Sequence, residues 1–249
     1  MIEKKLEAVN GVVDAFTKHR TAAVILAAGS STRMGKDKNK QFEMLCGMPV
    51  LAHTLLAYEH CVLIQEIVIV ARPQDFPAIT KLCKVCRITK LRALAVGGRT
   101  RQESAYSGVR RVSPFAKYVA IADGARCLTT PEQIARVCIR AYRHKAAAAA
   151  HKVSDTVKRT NTLGAVRETV SRENLWQAQT PQVFHTSLYL AAQYRAKADG
   201  FEATDDCSLI ENLGYKVQLV ECGMENLKIT TPDDLDIAEA ILSHRRAKK

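Results

Sequence analysis

Four short apolar runs punctuate the first half of the chain, and each ends in small or polar residues. Ala22–Ala28, Glu66–Ala71, Ala93–Val96 and Tyr118–Ala122 are short and nearly continuously apolar, the pattern of buried strands. Between them the apolar positions recur at helical spacing. Met48-Pro49 opens a helix with Val50, Leu51, Thr54, Leu55 and Tyr58 on one side. Another covers about Asp75–Cys83, after Pro73. Arg101–Val112 reads as a third, with Ser104, Gly108 and Val109 inward. Thr130 caps a fourth that runs to about Lys145, with Pro131 at its first position. Strand–helix alternation predicts an α/β fold: a mainly parallel sheet with helices on both faces.

The second half departs from that rhythm. Ala146–Val153 suits a helix by its alanines, but the alternation requires a strand, and strand is the reading taken. Ser154–Arg172 has little apolar content and a glycine at Gly164, which predicts a projecting hairpin. Leu175–Phe184 returns to the core. Ser187–Ala198 is predicted as a helix, and Thr204-Asp205-Asp206 caps another to Leu213. Tyr215–Val220 reads as a strand, Leu227–Ile229 as short and extended, and Pro232–Arg245 as the last helix. At the start, Ile2, Leu6, Val9, Val13 and Phe16 fit an amphipathic helix over 2–20, weakened by Gly11. No repeat or second core is visible. The expected organisation is an accessory helix (1–20), then a single domain (21–249) with an arm at about 154–173.

Composition narrows the class. The 249 residues are 47% hydrophobic and 25% charged, as in soluble globular proteins. No apolar run approaches the roughly 18 residues of a membrane helix. The eight cysteines lie scattered in apolar runs, and no signal-peptide core precedes them, so reduced thiols and a cytoplasmic location are expected. Cys83-Lys84-Val85-Cys86 is a lone pair with no nearby histidine, which argues against a metal or redox centre. The net charge of +12 invites a nucleic-acid partner. Aromatics are only 6% and do not interleave with the basic residues, so a stacking platform is poorly supported. Phosphorylated small molecules demand positive charge equally well.

The candidate chemistry gathers at strand ends, where ligands bind in sheets of this kind. Val24–Ala27 empties into Gly29-Ser30-Ser31-Thr32, followed by Arg33 and Lys40. Converging backbone N–H groups there suit an anion, and the two cations suit a polyphosphate. The same pattern also describes an ordinary tight turn, and it matches neither the P-loop nor the G-x-G-x-x-G fingerprint. Gly97–Arg101 and Asp123–Arg126 are the other two unusual ends. Their coincidence says more than any one of them.

Taken together, several stretches resemble one family. LAAGSSTRMG, KNKQF, GGRTRQES, DGAR, DTVKR, TVSRENLWQAQTPQ, TDD and ENLKIT occur in the order and spacing of the 2-C-methyl-D-erythritol 4-phosphate cytidylyltransferases. The resemblance covers about Ala22 to Leu242. It implies a Rossmann-like nucleotidyltransferase fold, a three-layer sandwich whose β-arm interlocks two subunits, with CTP, methylerythritol phosphate and Mg²⁺ as ligands. It further implies catalytic roles for Arg33, Lys40 and Lys228. Nucleotide contacts fall to Ala27, Ala28, Gly29, Ser30, Gly97, Gly98, Ser104 and Asp123. The substrate would meet Arg126, Thr156, Arg172, Thr180, Thr204 and Glu225, with Thr204 and Asp205 alternatively capping a helix. Asp123 and Glu225 would hold the metal.

Two departures from the family pattern stand out. Ala122-Asp123-Gly124-Ala125-Arg126-Cys127 replaces the common H-D-A-A-R-P, and Arg99 stands where relatives can carry an acidic residue. Competing readings are a ribitol 5-phosphate (pentitol-phosphate) cytidylyltransferase and a non-catalytic nucleotide- or RNA-binding protein on the same fold.

Overall fold

The computed structural model describes residues 19–29 and 39–247. The expected N-terminal helix falls outside the described residues, as do Ser30 and Arg33. The central sheet has seven strands. They are β1 (Thr21–Leu26), β4 (Ile64–Ala71), β5 (Leu91–Val96), β6 (Tyr118–Asp123), β7 (Ala146–Lys152), β10 (Trp176–His185) and β11 (Gln218–Glu221), in the order β11-β7-β10-β6-β1-β4-β5. Only β10 runs antiparallel to its neighbours.

The alternation along β1 explains the layers. Ala23 and Ile25 face one core, and Val24 faces the other. The first core packs beneath α1 (Val50–His60), α2 (Phe76–Val85) and α4 (Pro131–His144). The second packs beneath α3 (Arg101–Val109), α5 (Thr186–Asp199) and α6 (Asp206–Asn212). A third cluster joins the turn at Ala125–Leu128 to α7 (Asp233–Ala247). The α/β sandwich is therefore observed. Among the described residues, no helix is long and apolar enough to cross a membrane.

The alanine run settles as a strand for a tertiary reason. Lys145 adopts a left-handed conformation (φ 67°) and ends α4, its N–H donating to Ala141 O at 2.6 Å. Ala146 to Ala150 are then fully buried between β10 and β11, with Ala147 and Ala149 in one core and Ala146 and Ala148 in the other. Small side chains buried on both faces override helix propensity. The other cap was legible: Thr130 and Gln133 form a reciprocal capping box at the start of α4.

One element differs from expectation. A small hairpin of β2 (Met44–Leu45) and β3 (Met48–Pro49) precedes α1, so Pro49 is its N-cap. Leu227–Ile229 pairs with no strand, although Ile229 N–H donates to Ala125 O at 2.9 Å. The predicted arm is a hairpin of β8 (Val157–Thr160) and β9 (Val166–Val170), paired only with each other.

Candidate active site

The chain leaves β1 for β4 and β5 on one side, then returns as β6 on the other. The carboxyl ends of β1 and β6 therefore flank the point where strand order reverses, with Leu26 directly beside Asp123. A cavity of about 440 Å³ opens there, lined among others by Ala28, Gly29, Lys40, Gly98, Arg101, Asp123 and Lys228. Four segments remote in sequence meet in it: the turns after β1, β5 and β6, and the stretch that carries Lys228.

Asp123 is the floor. Its backbone N–H donates to the Thr180 hydroxyl at 3.0 Å, and its carboxylate faces three cations. Lys228 Nζ lies 3.0 Å from Oδ2, Arg126 Nε 3.5 Å from Oδ2, and Arg101 Nε 3.7 Å from Oδ1. Burial pushes the carboxyl up, but Lys228, Arg101 and Arg126 together outweigh it and hold Asp123 below the usual carboxylate range. Burial also pulls the Arg126 guanidinium down, against Asp123. The floor is thus an ionised carboxylate inside an excess of positive charge.

Asn226 ties these parts together. It is fully buried, and its amide donates to Gln179 Oε1 (3.1 Å) and Thr180 O (3.0 Å). Its Oδ1 accepts from the Thr129 hydroxyl at 2.7 Å, and its backbone carbonyl accepts from Arg126 at 2.6 Å. The ladder of β10 is interrupted between Ala178 and Gln182, which presents Gln179 and Thr180 to this hub. Asn226 stands two residues before Lys228, so the hub fixes where that ammonium emerges.

The opposite wall is the turn after β5. A Cβ on Gly97 would sit 2.4 Å from Ala28 Cβ, and one on Gly98 would sit 2.3 Å from Glu103 Cβ. Glycine is required here by close approach of the backbone. The Ser104 hydroxyl accepts from Gly98 N–H (3.0 Å) and donates to Thr100 O (2.9 Å). Its proton is therefore committed to the turn, and Ser104 braces the wall while lining it. Arg99 lines the rim and pairs with Glu103 at 3.3 Å.

The expected site residues divide. Lys40, Lys228, Asp123, Ala28, Gly29, Gly98 and Ser104 line one cavity. Ala27 is buried beneath it, its N–H on Val70 O at 2.7 Å. Arg126 and Thr180 support Asp123 from behind. Glu225 is not beside Asp123: its side chain pairs with Arg245 from α7 at 2.9 Å and is largely exposed. Thr204 is exposed and does not line the cavity. Asp205 is the N-cap of α6, accepting from Ser208 N–H at 2.9 Å. Thr156 and Arg172 lie exposed on the arm, with Arg172 bonded to Ser154 O.

Sequence reasoning passed over Arg101, Asp206, Asn226 and Gln41. One signal was present for Arg101. It follows the N-cap Thr100 as the first residue of α3, where the helix dipole disfavours a cation. Such a placement requires a compensating anion, and the structure supplies two.

An α/β sandwich with a cationic, glycine-walled cavity around one carboxylate at the sheet's switch point defines a nucleotidyltransferase. Residues 21–244 match the family model for 2-C-methyl-D-erythritol 4-phosphate cytidylyltransferase (IspD). The chain belongs to that family. A cytidylyltransferase of this description from a Synechocystis strain is 44% identical over 226 residues, 90% of this chain and 98% of that protein. Its counterpart in Syntrophus aciditrophicus is 39% identical, covering 93% and 99%. Among solved structures, 4-diphosphocytidyl-2C-methyl-D-erythritol synthase from Anaerococcus prevotii superposes with a TM-score of 0.80 at 28% identity, over 92% of this chain and 98% of its own. The cytidylyltransferase from Thermus thermophilus gives 0.73 at 31%, covering 88% and 98%.

Proposed function

We propose that this protein transfers the cytidylyl group of CTP to the phosphate of 2-C-methyl-D-erythritol 4-phosphate and releases pyrophosphate, a step of isoprenoid biosynthesis. The observation that carries this reading is the cavity itself, with Lys40 and Lys228 lining it around an Asp123 held ionised. A phosphate-monoester oxygen is already anionic near neutral pH, so attack on the α-phosphorus needs no strong base. What it needs is alignment and neutralisation of the charge that accumulates as the fifth bond forms. Lys40 and Lys228 supply that charge, and Arg33 is assigned to join them by the family resemblance. The backbone of Gly97 and Gly98, braced by Ser104, takes the cytosine edge, where side chains are excluded by contact. Ala28 and Gly29, which line the cavity, would meet the triphosphate, with Ala27 supporting them from the sheet.

The donor set also fits a divalent cation brought in with the nucleotide. Asp123 is the carboxylate lining the cavity, and among the described residues no group of three His, Cys, Asp or Glu could hold a metal alone. Mg²⁺ is commonly bound by one or two carboxylates with phosphate oxygens completing its shell. Asp123 would hold it, and the ion would neutralise triphosphate charge. Glu225, tied to Arg245, is left out of this assignment.

Thr156 and Arg172 lie exposed on the arm and are not among the residues that line this cavity. We assign the arm to a two-fold dimer in which each arm completes its neighbour's cavity. A cytoplasmic enzyme with reduced cysteines agrees with the eight free thiols. The deciding experiment is pyrophosphate release from CTP with methylerythritol phosphate. Ribitol 5-phosphate is the control acceptor, and faster turnover with it would replace this assignment.

A further inference from the structure

Asp206 is fully buried, and no step of the proposed transfer uses it. Its Oδ2 accepts from Arg101 Nη1 at 2.6 Å, and its Oδ1 accepts from the Tyr189 hydroxyl at 2.9 Å. That hydroxyl accepts in turn from Gln193 Nε2 at 2.7 Å. The backbone N–H of Asp206 donates to Gln182 Oε1 at 3.0 Å, and Gln182 Nε2 donates to Asp205 Oδ2 at 2.7 Å. Every polar edge of the residue is therefore fixed by a neighbour.

Arg101 is held asymmetrically. Its contact with Asp206 is 2.6 Å, whereas Asp123 lies 3.7 Å from its Nε. The tight contact is at the back, among buried groups, and the loose one is at the cavity wall that Arg101 lines. A pair serving the fold alone would gain nothing from a cation reaching into a cavity, since well-packed apolar residues commonly stabilise as well. A long arginine side chain also keeps its rotamer freedom unless something pins it.

Resting on the transfer reaction proposed above, we propose that Asp206 is a positioning residue of that site. It anchors Arg101 from behind, so that the guanidinium stays beside Asp123 when nucleotide and cation enter. Once Asp123 turns its charge to an incoming cation, Arg101 keeps Asp206 as its partner and neither follows the phosphates nor obstructs them. Tyr189 and Gln193 fix Asp206.

The test is a double-mutant cycle. Asp206→Asn should lower kcat/KM for CTP-dependent pyrophosphate release about 10- to 100-fold, the scale of a displaced aligning group. In an Arg101→Ala background the same change should cost no more than about twofold, because Asp206 acts only through Arg101. Independent losses that multiply would overturn the proposal. Guanidinium ion at millimolar concentration should partly restore Arg101→Ala but not Arg101→Ala/Asp206→Asn, and equal rescue of both would also overturn it. Should Asp206→Asn fail to fold, Tyr189→Phe serves instead. Its ring stays stacked on Phe184 (5.8 Å), and the hydroxyl is lost with its two bonds, one to Asp206 and one from Gln193. It should reduce activity about 3- to 10-fold with Arg101 present and not without it. Equal losses in both backgrounds would refute the anchor. Absence of pyrophosphate release by the unaltered protein would instead count against the transfer reaction. The cycle is then read in the calorimetric Kd for CTP, where the same non-additivity is expected and multiplying losses overturn the anchor.

Discussion

The floor of the cavity and the β8–β9 arm are built on opposite terms. Around Asp123, side chains from β6, β10 and the Asn226–Thr230 segment are locked by one another, and the charges are paired before any ligand arrives. The arm is a ribbon of four paired positions, half-buried only at Val157 and Val170 near its base, while Leu163 is 90% exposed and Val166 60%. Arg172 bonds only to Ser154 O, at the base of its own ribbon. An isolated two-stranded ribbon is marginal in water. Among the described residues, one region is braced by its own chain, while the other stands largely exposed. On the reading proposed above, the chemistry would divide along the same line, with transfer on the floor and acceptor recognition on an arm lent by a partner.

The strongest way to break this contrast is to strike the floor. Lys228→Ala and Lys40→Ala should each lower kcat by roughly 10²-fold or more, the scale of losing one transition-state donor. Far-ultraviolet circular dichroism should not change, since both side chains line the cavity and neither is in the core clusters. A variant that raised KM for CTP at unchanged kcat would show that its lysine binds only the ground state.

Next comes the arm. Arg172→Ala should abolish most acceptor-dependent turnover while the floor of the same chain stays intact. Mixing it with Lys40→Ala by co-unfolding and refolding then tests whether the two act across chains. In a heterodimer one site inherits both lesions and the other neither. Random pairing should restore about a quarter of wild-type activity per total protein. No recovery, with heterodimers confirmed by native mass spectrometry, would place Arg172 in cis and end the contrast.

The two regions also differ in how legible they were. Asp123, Lys228 and the Gly97-Gly98 turn could be read because strand ends and glycine pairs are local signals, and the arm because a polar stretch that long cannot bury itself. The Arg101–Asp206 pair could not be read, since its partners lie 105 residues apart and no spacing links them. Asn226 sat inside a quoted motif, yet a buried amide hub is visible only once β10 and the Asp123 turn are assembled around it. Glu225 was assigned to the metal by the family resemblance alone, whereas α7 brings Arg245 to it, a pairing no local pattern announces. Periodicity yielded the layers, but pairings between segments distant in sequence depend on the fold.

Acid titration sharpens the comparison in a third way. The Asp123 carboxyl is depressed in the folded protein, Lys228 being the largest of the charges that overcome its burial. A depressed carboxyl contributes stability that is present above its unfolded value, about 3.9, and is lost as pH falls through the lower folded value. Lys228→Met removes that charge and raises the folded value, so acid destabilisation should begin at higher pH than in wild type. Thermal unfolding followed from pH 7 to pH 3 measures it. Arg172→Ala should leave the acid limb where it is. A shift for the arm variant, or none for Lys228→Met, would show that the cluster does not hold Asp123 ionised.

The smallest effect on catalysis is expected at the tip of the arm. Leu163 is almost wholly exposed, so Leu163→Ser should change the stability of the single chain by no more than about 0.5 kcal/mol. A leucine buried on association is worth about 1.5–3 kcal/mol, and a two-fold dimer carries the residue twice. Even partial burial of the side chain would then weaken the dimer by about tenfold, because about 1.4 kcal/mol is a factor of ten in Kd. Sedimentation at a dilution series reads this directly, and activity at high protein concentration should stay at the wild-type level. An unchanged dissociation constant would mean that the tip projects past the interface into water. The borrowed half of the site would then be held by the arm's base, around Thr156 and Arg172, and the ribbon beyond it would serve only to set their register.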